Sequence, residues 1–553
     1  MARKVLLLTV VLLGLTASSA VATTINVTTS ADVVANDGQC SLREAITAAN
    51  TDAPSGSAPG ECPAGTPAGN GIVLAPGNYA LTSGALSVDS ALSVEGQAVG
   101  ATTINGEGVD RVFEVQAGAS LTLSQLSVID GRAPSGTAST GFVPGGAGGS
   151  GGAIQSAGSL TLDNVSLNAN AAGMGGTGAD GSAPGQAPGP GGNGGAIEST
   201  GPSLIITNST IANNSAGAGG TAGGSSSPVG GAGGSGGGID ATGGTIVITA
   251  STINGNYAGN GGFGGFVGGV AGNGGGVSLT SPAPATFQND TIAENAAGHS
   301  GIPLPPAGST SDGGALLQDG GSASMTQVTI AGNSESDQFN CCTDIASGGG
   351  LTVADSALDG SCRGVTDGGH NVAVSGSGCP GLAAAFDLGQ LQNNGGPTET
   401  MLPGAGSALI NEVPSRGAGC LSSDQRGVSR PQGKACDAGS VEFTAPKFAL
   451  SPRRVKFGHV RLGRVRRETV RIRYGSGDGP AIVGTARFSG RDARDFAIFR
   501  NRCRGTILHT SQSCTLVISF RPRRRGVRTA NVTLGVSSPG TPVKIALVGT
   551  GVQ

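Results

Sequence analysis

Two acidic residues occupy positions at which a pair of carboxylates could do acid–base chemistry. Glu198 and Asp240 directly follow the related motifs "GGAI" and "GGGI". If these motifs begin neighbouring strands, the two carboxyl groups lie ~5 Å apart, a separation that suits a retaining glycosidase. The equivalent positions of adjacent repeats hold Gln155 and Ser278. We therefore favour the alternative interpretation, a column of polar side chains on the outer face of a sheet.

Arginines near the C-terminus could bind anions. From Pro446 to Gln553 the chain has 22 Lys or Arg against 4 Asp or Glu, although its overall net charge is −3. Guanidinium groups match sulfate, phosphate and carboxylate groups in geometry and charge. We predict a patch for anionic polymers, with a solvated basic face as the alternative. Its members are Arg464, Arg466, Arg467, Arg471 and Arg473, which alternate along one strand and its approach and should share a face, and Arg521, Arg523, Arg524 and Arg525 at a turn. Few aromatic residues and no recognised reading motif accompany them, so specific nucleic-acid binding is not predicted.

Metal or cofactor chemistry has little support in the sequence. "GGTGAD", which ends at Asp180, fits one copy of a calcium-binding GGxGxD repeat but lacks the apolar residue that should follow. The cysteines show no paired Cys-x-x-Cys spacing for zinc. His299, in "GHS", superficially resembles a polygalacturonase motif, but the paired aspartates and the Arg-Ile-Lys of that motif are not found. We predict no cofactor and keep calcium as the open alternative.

The elements that must position these residues belong to a repeat. Five cassettes begin with variants of "GGAI" and end at an asparagine, and these asparagines are Asn170, Asn214, Asn256, Asn295 and Asn333. Their separations of 44, 42, 39 and 38 residues indicate a solenoid or an array. Within each cassette, segments such as "LTL", "LII" and "IVI" alternate as strands with one buried face do.

Stacking the cassettes gives the fold prediction. Three residues before each asparagine lies an aliphatic residue, and this column is Leu167, Ile211, Ile253, Ile292 and Ile330. One cassette cannot bury its apolar face alone, but it can do so against a copy of itself. Parallel strands that wind around an axis would stack the column and form an asparagine ladder at a bend, where asparagine tolerates left-handed backbone. The sequence therefore predicts a parallel β-helix.

Glycine-rich inserts fill the rest of each repeat. Glycine accounts for 103 of 553 residues, without the strict Gly-X-Y period of collagen. The inserts leave each coil after the asparagine and return at the next "GGAI"-type motif. With few apolar side chains to bury, they are predicted to be surface loops that project from one side. They lie at roughly Gly141–Gly152, Gly173–Gly195, Gly217–Gly238, Gly259–Gly276 and Gly298–Gly314.

The N-terminus and the cysteines indicate export. Residues 1–22 have a basic start, an apolar run and the small-x-small pattern Ala20-Val21-Ala22, so we predict a cleaved signal peptide. No later stretch is long and apolar enough to cross a bilayer. Ten cysteines in an exported protein suggest disulfides. Local pairing is predicted for Cys40 with Cys62, Cys420 with Cys436, and Cys503 with Cys514, and the pairing of Cys341, Cys342, Cys362 and Cys379 stays open.

Several motifs resemble known families of secreted proteins. The "GGAI" and "IANN" motifs are similar to the repeats of polymorphic outer-membrane proteins. "CSLREAITAAN" (Cys40–Asn50) resembles the CSLREA domain that opens many secreted bacterial β-helix proteins. "NGGPTETMLPGAGSALI" (Asn394–Ile410) with "DQRGVSRPQGKACDAGSVEF" (Asp424–Phe443) resembles the choice-of-anchor Q module that closes such helices. Residues Phe448–Gly551, including "SCTLVISFRP" and "ALVGTG", resemble the choice-of-anchor D domain, which is related to ASPM-SPD-2-Hydin modules.

These resemblances imply an all-β protein: a right-handed, pectin-lyase-like parallel β-helix followed by an immunoglobulin-like sandwich. We predict the signal peptide at 1–22, a cap and first coils at 23–105, repeats with inserts at 106–380, the closing module at 381–445 and a basic sandwich at 446–553. The favoured function is a secreted or cell-surface protein without catalytic activity that adheres to anionic surface or wall polymers or to extracellular glycans. The alternatives are a lyase or hydrolase of acidic glycans and a structural spacer.

Overall fold

The computed structural model describes residues 23–553, except 182, 184–185, 225–228, 304–311, 335–342, 417–418 and 537–541. The predicted signal peptide, Cys341 and Cys342 lie outside the described residues. Within the described residues the chain is almost entirely β, with one long parallel sheet followed by two smaller sheets that are mainly antiparallel. The predicted fold class, a parallel β-helix followed by a sandwich, is confirmed.

The parallel sheet winds through twenty-seven strands among the described residues, and every third strand or so stacks on its counterpart in the previous coil. The strands are β1 (Thr23–Asn26), β2 (Asn70–Val73), β3 (Gly77–Ala80), β4 (Leu86–Val88), β5 (Ala91–Glu95), β6 (Thr102–Asn105), β7 (Phe113–Val115), β8 (Ser120–Ile129), β9 (Ile154–Ser156), β10 (Ser159–Asn168), β11 (Ile197–Ser199), β12 (Ser203–Thr207), β13 (Thr210–Ala212), β14 (Ile239–Ala241), β15 (Thr245–Thr249), β16 (Thr252–Asn254), β17 (Val277–Leu279), β18 (Ala285–Gln288), β19 (Thr291–Ala293), β20 (Leu316–Gln318), β21 (Ala323–Thr326), β22 (Thr329–Ala331), β23 (Ile345–Ala354), β24 (Ala357–Asp359), β25 (Cys362–Gly369), β26 (Val372–Ala373) and β27 (Leu382–Ala383).

The predicted aliphatic column is continuous. Leu167 pairs with Ile211, Ile211 with Ile253, Ile253 with Ile292, and Ile292 with Ile330, each in register between parallel strands. All five side chains are fully buried in one core that runs the length of the coils. Because side chains alternate along a strand, a slip of one residue would turn this column out of the core. Burial of the column therefore fixes the register of the stack.

The five asparagines form a ladder beside this column, buried at all positions except Asn333, which is half-buried. Asn256 Oδ1 accepts hydrogen bonds from the backbone N–H and the side-chain Nδ2 of Asn214, at 3.0 and 2.9 Å. Asn256 Nδ2 in turn donates to Ile211 O and to Asn295 Oδ1. The same pattern joins Asn170 to Asn214. Each amide thus satisfies backbone groups that the bend would otherwise leave unpaired.

The expectation that the asparagines themselves take left-handed backbone is wrong. The residue before each asparagine has positive φ, between 54° and 64°. That position lets the chain turn sharply, and it leaves the asparagine side chain aimed along the stack, where it can bridge two coils. The residues with positive φ are Ala169, Asn213, Gly255, Glu294 and Gly332.

The glycine-rich inserts are not projecting loops but a hydrogen-bonded layer. The described segments of the inserts bond to those of the neighbouring coils. Gly173 N–H donates to Gly149 O, Gly192 to Gly173 and Gly217 to Gly192, and the chain of bonds continues to Gly298. A second chain runs three residues away, through Gly146, Gly176, Gly189 and Gly220 as far as Gly301. A three-residue period is that of a polyproline II helix, which has no internal hydrogen bonds and so must bond to its neighbours. We call this assembly the glycine layer.

Close approach explains why this layer needs glycine. At Gly192, an added Cβ would overlap the carbonyl oxygen of Gly149, and at Gly176 it would overlap that of Thr137. Outgoing and returning segments meet at these glycines, so backbone packs directly on backbone. The missing side chains therefore make room for hydrogen bonds, and the expectation of surface loops is corrected.

A short helix covers the N-terminal end of the core. Helix α1 (Leu42–Thr51) begins at Ser41, whose side chain accepts from the Glu44 N–H in a capping box. Its apolar face is buried in the core of the coils, as the helical spacing of Leu42 and Ile46 predicts. Arg43 binds Asp32 and donates to Gly84 O, which ties the helix to the first coils.

Residues 398–416 and 419–443 contain a segment that contacts the side of the β-helix. A column of threonines faces outward from β16, β19 and β22, and this segment covers it. Thr291 Oγ1 donates to Gln425 Oε1, and Gln425 Nε2 donates to Thr252 Oγ1. Ser440 Oγ donates to Thr329 Oγ1. The segment expected to close the helix therefore also runs back over at least three coils.

The C-terminal region is a sandwich of two sheets. Its strands are β28 (Lys447–Ser451), β29 (Arg454–Arg461), β30 (Arg466–Ser476), β31 (Ala481–Ser489), β32 (Phe496–Asn501), β33 (Ile507–Leu508), β34 (Ser513–Phe520), β35 (Gly526–Val536) and β36 (Val543–Val552). The sheet orders are β28-β30-β34-β32 and β29-β36-β35-β31-β33, and one apolar core joins them. Arg426, from the segment that covers the threonines, binds Asp478 of the sandwich at 2.9 Å.

Four disulfides join described cysteines. They link Cys40 to Cys62, Cys420 to Cys436 and Cys503 to Cys514, the three pairs suggested by spacing, and Cys362 to Cys379, which the sequence left open. Disulfides persist in oxidising compartments, so they indicate an extracellular environment. Among the described helices, none has the length and apolarity that a membrane span requires.

Substitution in the glycine layer should destabilise the protein. Gly192→Ala places a methyl group on the carbonyl of Gly149, so we expect a loss of about 1–3 kcal/mol, as for other overpacked sites. The midpoint of denaturant-induced unfolding measures this loss. Gly535→Ala is the control, because the space around Gly535 is open and its φ is not positive. An equal midpoint for the two variants would contradict direct backbone packing.

Removing the centre of the ladder should also be costly. Asn256→Ala leaves two buried donors of Asn214 and the carbonyl of Ile211 without partners, so we expect a loss of about 2–4 kcal/mol. Asn168→Ala removes one hydrogen bond at the exposed edge, to Asn213, and should lose less than about 1 kcal/mol. Thermal unfolding of both variants tests the difference, and similar losses would show that the ladder is not what holds the bend.

Candidate functional site

The two candidate carboxylates lie next to each other, but the glycine layer covers them. Glu198 of β11 pairs in register with Asp240 of β14, and with Gln155 on its other side. Their side chains point out of the core, yet Asp240 is only 2% exposed. The returning segments of the glycine layer pass over this column, and Asn193 of that layer hydrogen-bonds Asp240. The column that was expected to form an outer polar face therefore lies between the coils and the glycine layer.

Burial dominates the electrostatics of this pair. It raises the pKa of Asp240 to about 6, while a hydrogen bond from Ser278 lowers it and the charge of Glu198 raises it. Burial also raises the pKa of Glu198, against a hydrogen bond from Gln155 and the charge of Arg111. An acid of raised pKa is a candidate for proton transfer. At 2% exposure, however, the Asp240 carboxyl cannot be reached by a polymer chain, so Asp240 is part of the packed structure, whereas Glu198 is half-buried.

The residues considered for metal or histidine chemistry do not form a site. Asp180 is exposed near the far end of its insert. Across the ranges that the structure describes, no group of three or more His, Cys, Asp or Glu side chains could hold a metal ion. His299 is exposed on the glycine layer, and its backbone N–H donates to Asn260 Oδ1.

The first arginine cluster divides between two faces. On β30, Val470, Ile472 and Tyr474 point into the core, so Arg471 and Arg473 point outward. Arg467 shares their face and lies over the Phe499 ring, 3.5 Å from its centroid.

The expectation that all five members share a face is wrong. Arg466 falls on the opposite side by alternation, beside Glu468, with which it pairs at 3.0 Å. Arg464 precedes the strand in a turn. Adjacent residues of a strand point to opposite sides, so Arg466 and Arg467 cannot share a face, and the outward set is Arg467, Arg471 and Arg473.

The second cluster contributes to a cleft that we call the arginine pocket. It has a volume of about 600 Å³. The described residues that line it are Arg491, Asp492, Arg494, Asp495, Arg523, Arg524 and Arg528. Five guanidinium groups and two carboxylates leave an excess of three positive charges. Arg521 lies outside it and donates to Gly463 O, and Arg525 is exposed at the turn.

The two aspartates organise this pocket. Both are 4% exposed, and Arg528 binds Asp492 at 2.6 Å and Asp495 at 2.7 Å. Arg491 and Arg523 lie farther from these carboxylates, at 3.7 and 3.9 Å, and are largely exposed. Exposed pairs at such distances contribute little. Both carboxylates thus bind mainly Arg528. The other guanidinium groups keep N–H donors that can bind an anion.

Sequence reasoning missed part of the pocket. Arg491, Arg494 and Arg528 were not predicted, because they stand apart from the two clusters of arginine in the sequence. The segment "GRDARDF" (490–496) contained the signal, since its two aspartates alternate with two arginines around the 3-10 helix Ala493–Asp495.

Comparisons with known proteins leave the family open. No family model matches the chain, and no curated protein matches it. A solved structure that matches a part is the secreted serine protease VesC from Vibrio cholerae, at 19% identity and a TM-score of 0.16. The match covers 19% of this chain and 23% of that protein. The chain therefore spans about a quarter of VesC, and no argument rests on this likeness.

The buried acid pair gives a pH-dependent prediction. Because the folded pKa of Asp240 lies above its unfolded value, its stabilising contribution is complete below about pH 4 and is lost as the pH rises through about 6. Above that range the buried charge costs about 3 kcal/mol. Asp240→Asn should therefore be more stable than the wild type at pH 7.5, and this advantage should shrink at pH 4.5.

Denaturant midpoints at the two pH values measure this difference. Asp359→Asn, at an exposed position of β24, is the control and should show no pH-dependent advantage. If the advantage of Asp240→Asn is the same at both pH values, the carboxyl is not held in a desolvated site.

Proposed function

We propose that this protein is exported and attaches to anionic polymers of a cell surface or extracellular matrix through its C-terminal sandwich, without catalysis. The observation that carries this proposal is the arginine pocket. Its donors surround a cleft, and two buried aspartates fix Arg528 at its floor. Sulfate, phosphate and carboxylate groups all suit such an array.

A second group of arginines favours a polymer, rather than a small ion, as the ligand of the sandwich. Arg467, Arg471 and Arg473 project from the outward face of β30. Arg467 is stacked on Phe499, which restricts its motion. A chain of repeated negative groups can contact several such side chains at once and release their counterions, so affinity rises with the number of contacts.

The β-helix has a different role in this proposal. Its coils share one apolar core, and its glycine layer is held by hydrogen bonds between backbones. The link from Arg426 to Asp478 holds the sandwich at the side of this body. Resemblance to secreted CSLREA and choice-of-anchor proteins agrees with export and surface attachment, and we include that relationship in the proposal.

The enzymatic alternative has less support. A glycan lyase or hydrolase needs an acid and a base that reach the substrate, and burial of Asp240 removes one of the two candidates. The spacer alternative differs from the proposal only in predicting no ligand for the sandwich, so a binding measurement separates them.

Salt-dependent binding of the full chain to immobilised heparin, and to wall and cell-surface fractions, tests the proposal. Replacing Arg491, Arg494 and Arg524 together by Gln should weaken binding about 100-fold, since each of the three hydrogen bonds to a charged group contributes at least about 1 kcal/mol. The slope of log affinity against log salt concentration should fall by about one for each arginine that no longer neutralises an anionic group of the polymer.

A charge-matched control separates a site from general attraction. Arg453, Arg502 and Arg504 are exposed outside the pocket, and their joint replacement by Gln removes the same charge. We expect this control to bind nearly as well as the wild type. Equal weakening of both triple variants would contradict a pocket, and failure of the wild type to bind any of these polymers would overturn the proposed function.

A further inference from the structure

The outer surface of the glycine layer contains a groove of about 540 Å³. It lies on the outgoing segments of three inserts, far along the chain from the sandwich. Its prominent side chains are Tyr257, Asn260 and His299, and small residues such as Ser215, Ala218 and Ala296 make up much of the rest.

The three-residue period of the layer builds this groove. Backbone bridges stack Ser215, Tyr257 and Ala296 in one column. Three residues further along each segment, Asn260 and His299 follow each other in a second column, joined by Gly261 N–H to His299 O. Tyr257 therefore stands between two small neighbours, and 55% of it is exposed. Both the ring and the polar column are open to a ligand.

The polar atoms of the groove are partly fixed. Asn260 Oδ1 accepts from the His299 backbone N–H at 2.8 Å, which sets the position of the amide. The Nδ2 group of Asn260, the imidazole of His299 and the hydroxyls of Tyr257, Ser215 and Ser334 are side-chain donors and acceptors along the groove. No Lys, Arg, Asp or Glu is among the described residues that line the groove. The groove thus differs in chemistry from the arginine pocket and gives no preference to polyanions.

Several backbone groups of the groove are already bonded within the layer. Ala216 N–H donates to Tyr257 O, Ala258 to Ala296 O, and Gly219 to Asn260 O, all within the layer. A peptide that binds as an added strand needs such groups unpaired. An added strand is therefore disfavoured, and the largest groups that the groove offers for recognition are the tyrosine ring and the side-chain amide and imidazole. A pyranose ring suits these partners, because it has an apolar face of C–H groups and a rim of hydroxyls.

We propose that this groove binds a neutral glycan chain. One sugar ring stacks on Tyr257, and hydroxyls of the same or the next ring hydrogen-bond to Asn260 and His299. Aromatic rings with few polar side chains nearby are the general composition of small-ligand sites. The regular stacking of the layer extends the same small-residue surface on both sides of Tyr257, so a linear polymer has room to continue along it.

Tyrosine fluorescence can test this directly. The chain has three tyrosines and no tryptophan, and all three lie in the described part. Tyr79 and Tyr474 are 4% and 0% exposed, so a soluble quencher acts mainly on Tyr257. We expect neutral oligosaccharides of glucose, mannose or N-acetylglucosamine to protect Tyr257 from acrylamide in a saturable way. Calorimetry on the full chain should give the same affinity.

Variants assign the interaction to the groove. Tyr257→Ala should abolish calorimetric binding, Tyr257→Phe should retain most of it, and Asn260→Ala or His299→Ala should weaken it about 10-fold, the effect of removing one hydrogen bond to a ligand. Phe142→Ala is the control, because Phe142 is an aromatic residue of the same layer, 95% exposed, outside the groove. Its affinity should equal that of the wild type, and thermal unfolding confirms that each variant is folded.

Three results would overturn the inference. These are no protection of Tyr257 by any neutral oligosaccharide, protection by sulfated or uronate oligomers alone, and equal weakening by Phe142→Ala. The triple Gln variant of the arginine pocket should bind neutral glycans as the wild type does. Loss of heparin binding with retained glycan binding, or the reverse, therefore distinguishes failure of the two proposals.

Discussion

Hydrogen bonding between successive coils is the interaction on which the rest of this structure depends. Strands, bends and inserts all repeat at the spacing of parallel strands, ~4.8 Å, so each segment finds its backbone partners in the same segment of the next coil. A bend can be stacked only if its polar groups are satisfied, and the ladder around Asn214 and Asn256 does this. An insert can be stacked only if its backbone bonds to its neighbours, and the glycines permit that.

The same dependence on bonds between coils explains which features of the fold the sequence predicted and which it did not. The aliphatic column from Leu167 to Ile330 was predictable, because burial leaves a periodic pattern of side chains. The glycine layer was not recognised, since its information lies in main-chain bonds that composition does not show. A three-residue spacing was nevertheless present, as in Gly173 with Gly176 and Gly217 with Gly220. The left-handed position before each asparagine escaped notice because its residue type varies, from Ala169 to Glu294.

The candidate sites show the same difference between features that a residue pattern predicts and features that depend on tertiary structure. Glu198 and Asp240 were correctly placed side by side by strand register, but their accessibility depends on the layer above them, which register alone does not reveal. The outward direction of Arg471 and Arg473 on β30 follows from alternation along the strand. Arg466 is the first residue of that strand, where the sequence pattern does not fix the side to which a residue points. The arginine pocket needed tertiary structure, since Arg528 is brought to Asp492 and Asp495 from another strand.

The glycine layer, a surface made of main-chain segments, presents small and aromatic side chains at regular positions. The arginine pocket belongs to the separate sandwich. The uncharged groove and the arginine pocket thus lie on different parts of one protein. Hydrogen–deuterium exchange of the inserts tests this account most directly, since both the groove and the buried acid pair require the layer to be formed. Peptides from 173–181 and 229–238 should exchange as slowly as those from the strands of the same coils. Complete exchange of these peptides within seconds, with the strands still protected, would show that the inserts are open loops.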